Sequence, residues 1–220
     1  MGDPARKAEL FDQVARVGKA LGSGKRLELL DLLAQGERSV EALARAAGLG
    51  LTTASAHLQT LKQAGLVATR RDGTRIHYRL AGPDIADLCV RLRDVAAAHL
   101  ADVAAHLQAY LGPGADVDEV VDRAELLRRA QAGDVVVLDV RPVEEYAAGH
   151  IPGAVSIPVD QLADRIADLP DGVEVVAYCR GRFCVFAHDA VRLLTARGRE
   201  ARRLEDGMLE WRLAGLPVAA

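Results

Sequence analysis

Three cysteines in 220 residues (Cys89, Cys179 and Cys184) are too few, and odd in number, for a disulfide framework. In such a chain each thiol is either buried filler or chemically active. Nowhere does the sequence hold the roughly 20 successive apolar residues that a membrane-spanning helix needs. Residues 1–10 intersperse charges with Ala and Pro and lack an apolar leader core. These absences predict a soluble cytoplasmic protein with no membrane partner. Half of the residues are apolar, so a packed core is expected and wholesale disorder is not. The length suits one large domain or two of about 100 residues.

The formal charge of −3 hides an asymmetry. Residues 1–111 carry 15 Lys and Arg against 12 Asp and Glu, and residues 112–220 carry 13 against 19. A mildly basic half beside an acidic one fits a polyanion binder joined to something else.

The first half reads as helix after helix. Apolar residues at Ala8, Leu10, Phe11, Val14 and Val17 recur at helical spacing until Gly22-Ser23-Gly24 breaks the pattern. A short helix over 26–34 follows, rich in Leu. Ser39 is a good N-cap for another over 40–47, and a fourth runs over 51–64 with Ala54, Leu58 and Leu61 on its core side. The period then changes to that of two strands, 66–71 and 74–80, around Asp72-Gly73, a strong hairpin signal. Pro83 opens a long helix over 84–111. Gly112-Pro113-Gly114 starts a polar linker over 112–118, which divides the chain into domains 1–111 and 119–220.

Two short helices, a tight turn and a hairpin describe a mainly α winged helix-turn-helix, whose second helix enters the major groove. Its exposed side carries Thr52, Thr53, Ser55, His57, Gln59 and Lys62, groups suited to base edges and phosphates. The hairpin adds Arg70, Arg71, Arg75 and Arg79, which can neutralise several phosphates and make binding salt-sensitive. A winged helix used for protein contacts is the alternative. The run SAHLQTLKQAGLVATRRDGTRIHYRL, residues 55–80, resembles the ArsR/SmtB family of bacterial repressors, and the likeness extends over residues 5–111. That resemblance implies a homodimer, built mainly on the first and last helices, that binds an inverted repeat in double-stranded operator DNA.

Many members of that family sense metals, and here the sequence departs from them. The helix before the recognition helix, Val40-Glu41-Ala42-Leu43-Ala44, has no cysteine pair, so soft thiolate ligands are missing. On the last helix His99, Asp102 and His106 can share one face through i,i+3 and i,i+4 spacing. A solvated polar face is the favoured reading of that trio, so no metal or other cofactor is expected. Cys89 is this half's single thiol and reads as a small buried hydrophobe.

The second half alternates strand and helix: apolar strands over 135–140, 155–157 and 173–178, a short one over 201–204, and helices over 143–148, 161–168, 185–197 and 208–214. That is an α/β pattern with a parallel sheet. Asp139 and Arg141 fall at the carboxyl end of a buried strand, where open α/β sheets place functional groups. Glu144 and Glu145 begin the next helix and are placed to pair with Arg141. In YCRGRFCV, residues 178–185, a strand ends at Tyr178, Cys179 opens a loop and Val185 begins a helix. Amides gathered by such a turn stabilise negative charge, so Cys179 is expected to have a depressed pKa and to be a nucleophile. Arg180 and Arg182 add cationic charge for an anionic donor. Gly181, mid-loop, is expected at positive φ.

LDVRPVEEYAAGHIPGAVSIP (138–158), the loop Cys179-Arg180-Gly181-Arg182-Phe183-Cys184 and RRLEDGMLEWRLAGLPV (202–218) resemble the rhodanese-like domains, over residues 118–218. The resemblance implies that Cys179 takes the outer sulfur of thiosulfate or a persulfide and passes it on. Asp139 and Arg141 then brace the loop or serve the fold alone. The relatives that bind a tetrahedral oxyanion place Arg six residues after the cysteine; here that residue is Val185. Asp206-Gly207 stands where the family more often has Gly-Gly. Cys184 has two readings, a resolving thiol or a buried helix-start residue.

Three functions remain open. The chain is a dimeric repressor responsive to sulfur at Cys179, a sulfurtransferase localised or autoregulated by a DNA-binding module, or a metal sensor on an inactive rhodanese scaffold.

Overall fold

A computed structural model of the chain describes residues 3–112 and 120–220. Backbone contacts divide it into two compact units, 1–93 and 94–220. Of the linker placed at 112–118, residues 113–118 lie outside the described residues. No helix among the described residues is long and apolar enough to cross a membrane.

The first unit is built on α1 (Pro4–Leu21), α2 (Gly24–Ala34), α3 (Val40–Ala46) and α4 (Leu51–Gln63). Local chemistry sets their ends. Asp3 accepts from the Ala5 amide and Ser39 from the Ala42 amide at the starts of α1 and α3. Gly65 (φ 75°) follows α4 in the left-handed conformation. The core gathers Leu29, Leu30 and Leu33 of α2, Leu43 of α3 and Leu58 and Leu61 of α4. The hairpin pairs Val67–Asp72 with Arg75–Leu80 in antiparallel register, Thr69 opposite Tyr78, and turns at Gly73 (φ 58°). A two-residue strand, Arg38–Ser39, which the sequence did not signal, pairs with the outer side of Arg75–Leu80. In chain order these strands are β1 (Arg38–Ser39), β2 (Val67–Asp72) and β3 (Arg75–Leu80).

The long helix expected over 84–111 is two: α5 (Pro83–His99) and α6 (Ala101–Leu111). Leu100 between them is extended, with φ −114° and ψ 102°. No Gly or Pro marks this point, and Leu is a good helix former. α6 lies in the second unit, where Arg192 donates to the Leu111 carbonyl at 3.0 Å.

The second unit holds a five-stranded parallel sheet, β4 (Val120–Val121), β5 (Val135–Asp139), β6 (Val155–Ser156), β7 (Glu174–Tyr178) and β8 (Ala201–Leu204), in the order β4-β8-β7-β5-β6. Helices cover both faces. They are α7 (Arg123–Ala132), α8 (Val143–Ala147), α9 (Leu162–Arg165), α10 (Phe186–Ala196) and α11 (Met208–Leu213). The sequence reading left β4 and α7 without an element. α7 buries only Leu126, so its apolar period is faint, although its Asp122 cap and left-handed Gly133 were legible.

Alternation along β7 sets the site. Val175, Ala177 and then Cys179 face the layer formed by α10 through Ala187, Ala190, Val191 and Leu194. Val176 and Tyr178 face the opposite layer, with Leu126, Met208 and Trp211.

Candidate functional site

In the first unit, α4 buries Ala54, Leu58 and Leu61, and this fixes which side faces water. Thr52, Thr53, Gln59 and Lys62 are exposed, and Ser55 and His57 half-buried. Two of these side chains tie the helix to the hairpin: Gln59 donates to the Tyr78 hydroxyl at 3.0 Å and Lys62 to the Thr69 hydroxyl at 3.0 Å. Arg70, Arg71, Arg75 and Arg79 are all exposed on β2 and β3. They are not equivalent. Arg70 is held by Glu37 at 2.6 Å, with Asp72 at 3.5 Å, so its charge is largely countered. Among the described residues Arg71 and Arg79 donate to the carbonyls of Gly73 and Leu80 and pair with no carboxylate, which leaves their charge available to an anion.

Among the described residues no group of three or more His, Cys, Asp or Glu is arranged to hold a metal ion. The break at Leu100 separates His99 from Asp102, so the i,i+3 spacing is lost, and the His106 ring meets the Asp102 carbonyl at 2.7 Å. Cys89 lies in the core of the first unit.

In the second unit the loop from Cys179 to Cys184 joins β7 to α10. Cys179 is 3% exposed and Cys184 7%. The two thiols influence each other's titration. The Cys179 Sγ also donates toward the Cys184 carbonyl at 3.5 Å and, more distantly, the Gly181 carbonyl at 3.9 Å. Burial pushes the Cys179 thiol well above its ordinary range, and Cys184 adds to this; the amides of Ala187 and Gly181 act the other way and are outweighed. The depressed pKa expected for Cys179 is therefore corrected: amides do converge on it, but desolvation wins. Cys184 is lowered, chiefly by the neighbouring Cys179 thiol, against burial and with help from the amides of Phe186 and Arg180.

Three further expectations about the loop change. Gly181 does not have positive φ. Its need is space, since a Cβ there would lie 2.8 Å from the Glu210 carboxylate. Gly207 is tighter still, as its Cβ would lie 2.3 Å from the Gly181 nitrogen. Finally, Glu145 pairs with Arg180 at 2.7 Å, while Arg141 pairs with Asp139 at 2.6 Å. Glu144 is exposed. With its guanidinium on Glu145 and 5.0 Å from the centre of the Phe186 ring, Arg180 acts inside the loop's frame. Arg182 is the exposed cation. It and Phe183 border a cavity of about 400 Å3, whose other charged members include Arg203, Glu205 and Asp94.

Asp139 and Arg141 are completely buried. Asp139 accepts from the Tyr178 hydroxyl at 2.5 Å, Tyr178 in turn accepts from the Ile151 amide at 3.1 Å, and Arg141 donates to the Gly149 carbonyl at 2.9 Å. Breaking a buried pair of this kind costs about 3–5 kcal/mol, so its loss would first be a loss of fold. The sequence assigns no role to Tyr178 or Glu210, and it places Glu145 on Arg141 rather than on Arg180. The Glu145–Arg180 pair spans 35 positions, and no local signal announces it.

Residues 23–69 match the bacterial regulatory protein family arsR, and residues 122–214 match the rhodanese-like domain. An HTH-type transcriptional regulator of Mycobacterium tuberculosis is 61% identical over 217 residues, 99% of this chain and 95% of the relative. A sulfurtransferase of Allochromatium vinosum is 31% identical over 104 residues, 47% of this chain and 96% of the relative. A solved fragment from Mycobacterium bovis, described as a homodimeric winged helix-turn-helix DNA-binding domain, is 62% identical; the match covers 46% of this chain and 93% of the fragment, with a TM-score of 0.42. The chain belongs to the ArsR family of HTH-type transcriptional regulators and carries a rhodanese-like domain in its C-terminal half.

Proposed function

We propose that the protein is a cytoplasmic repressor that binds operator DNA as a homodimer through residues 1–111, and that residues 119–220 accept a sulfane sulfur on Cys179 as the signal. The DNA half rests on one observation: the outward face of α4 presents Thr52, Thr53, Gln59 and Lys62, tied through Tyr78 and Thr69 to a hairpin rich in arginine. The helix supplies base contacts and the arginines phosphate contacts. The self-partner is supported by α1, whose Leu10, Phe11 and Val14 are each more than 60% exposed although apolar, and by Leu88, Leu92 and Val95 on α5. A row of this kind on a folded protein calls for a covering surface.

In the sulfur half, Arg182 beside the cavity is the group for an anionic donor such as thiosulfate or a persulfide. The raised pKa of the buried Cys179 favours one slow uptake over rapid turnover. A second reading is a sulfurtransferase, favoured by the likeness to the Allochromatium enzyme. Steady turnover with thiosulfate and cyanide, abolished by Cys179→Ser, would establish it instead.

The salt dependence of operator binding tests the DNA half. Each phosphate contact adds about 0.9 to the slope of log K against log salt. Arg75→Ala in both protomers is expected to lower the slope by about 2 with little change in sequence preference. Arg70→Ala, already countered by Glu37, is expected to lower it less. Equal slopes for Arg75→Ala and the wild type would remove the wing from the interface.

A further inference from the structure

Two thiols close one loop, and the mechanism so far uses one. Cys184 ends the loop that Cys179 begins and is itself buried, and its carbonyl lies 3.5 Å from the Cys179 Sγ. The two lie in the same core layer, against Ala187 of α10. Cys89, the remaining thiol of the chain, belongs to the core of the other unit.

We propose that Cys184 is a resolving residue: it attacks the persulfide formed on Cys179 and converts the sulfur signal into a disulfide between residues 179 and 184, with release of sulfide. The proposal rests on the reading of Cys179 as the sulfur acceptor.

The chemistry balances without an external oxidant. The Cys179 thiolate first takes the outer sulfur of thiosulfate, breaking its S–S bond and releasing sulfite. The Cys184 thiolate then attacks the inner sulfur, the Cys179 Sγ. A new S–S bond forms between the two side chains, the Cys179–outer sulfur bond breaks, and the outer sulfur, carrying the proton that Cys184 gave up, leaves with the electron pair as hydrosulfide. Two thiols are oxidised and one sulfane sulfur is reduced. Hydrosulfide is a weaker base than an alkyl thiolate and therefore the better leaving group.

Geometry selects this step over its competitors. An external thiol meets the outer sulfur first, because the Cys179 Sγ lies beneath the loop. The inner sulfur sits 3.5 Å from the Cys184 carbonyl in the core layer that both residues share, and a neighbour held in place has the advantage of an intramolecular reaction. The neighbouring Cys179 thiol, the Phe186 and Arg180 amides and the Arg180 charge lower the Cys184 pKa against its burial. Arg180 is kept there by Glu145. A residue needed only to fill the start of α10 has no use for such a charge.

The test uses the full-length protein without oxygen, with one equivalent of thiosulfate as the probe. Intact mass and peptide mapping follow the protein, and a fluorescent trap follows sulfide. The wild type is expected to release one sulfide per chain and to become two hydrogens lighter, with the loss mapped to a peptide linking residues 179 and 184. Cys184→Ser is expected to hold the extra sulfur on Cys179 and to release sulfide about tenfold more slowly or less, as expected when an intramolecular attack is lost. If that variant does not fold, the wild-type mass change still decides. A wild-type protein that stays one sulfur heavier at Cys179, or that gains sulfur and loses two hydrogens as a trisulfide, overturns this inference while leaving Cys179 as acceptor. A wild-type protein that takes up no sulfur and releases no sulfide overturns the acceptor reading and this one with it.

Discussion

Cys179 stands between opposed influences: desolvation and Cys184 raise its pKa, and the amides of Ala187 and Gly181 lower it. A thiol reacts as its thiolate, so raising the pKa moves the rise in reactivity to higher pH. The rate of Cys179 alkylation is therefore expected to keep climbing through and above the ordinary thiol range. A rate that levels off near neutrality, followed by mass mapping of that peptide, would show that the amides prevail. The residue's candidacy was legible because a strand, a short loop and a helix bracket it in sequence. Its protonation was not, because that depends on what closes over it. Gly181 teaches the same lesson, as its place was readable but its reason was not: the crowding comes from Glu210, 29 positions away.

At the scale of elements, the loop is seated on the first turn of α11 and the glycine before it. The amides of Met208 and Leu209 donate to the carbonyls of Cys179 and Arg180 at 2.9 and 3.0 Å, and Gly207 fits between the two backbones. Gly207→Ala would press a methyl group onto the Gly181 backbone, an overpacking that costs about 1–3 kcal/mol. We expect a lower Tm and faster Cys179 alkylation through a loosened loop. Gly24→Ala, with nothing within 4 Å, is the control and should change neither. A Gly207→Ala protein as stable as the control would mean that the segment moves aside freely. Asp206, where the rhodanese family more often has glycine, pairs with Arg123 at 3.1 Å, so the departure from the family pattern serves the anchoring of α7. Strands such as β5 and β7, and α10, were readable because their apolar residues are dense. The break at Leu100 was not, because no Gly or Pro marks it and Leu is a good helix former.

For the whole molecule the apolar row on α1 has the largest consequence. Of its 18 residues only Ala20 is buried, so an isolated chain leaves most of this helix in water. If α1 is half of a dimer contact, Val14→Asp places a charge in a desolvated interface and leaves the fold alone, because Val14 is 62% exposed. Light scattering is expected to give a dimeric mass for the wild type and a monomeric one for the variant. Two dimers would move the self-contact elsewhere. The two-part organisation was legible in the change of charge and of strand and helix pattern along the sequence.

Coupling between the halves is the central claim, and a mobility shift on operator DNA tests it most directly. Wild type and Cys179→Ser are titrated side by side, with and without prior treatment by a polysulfide. The account predicts that treatment changes the affinity of the wild type and leaves Cys179→Ser unchanged. An equal response of both proteins, or of neither, would contradict it.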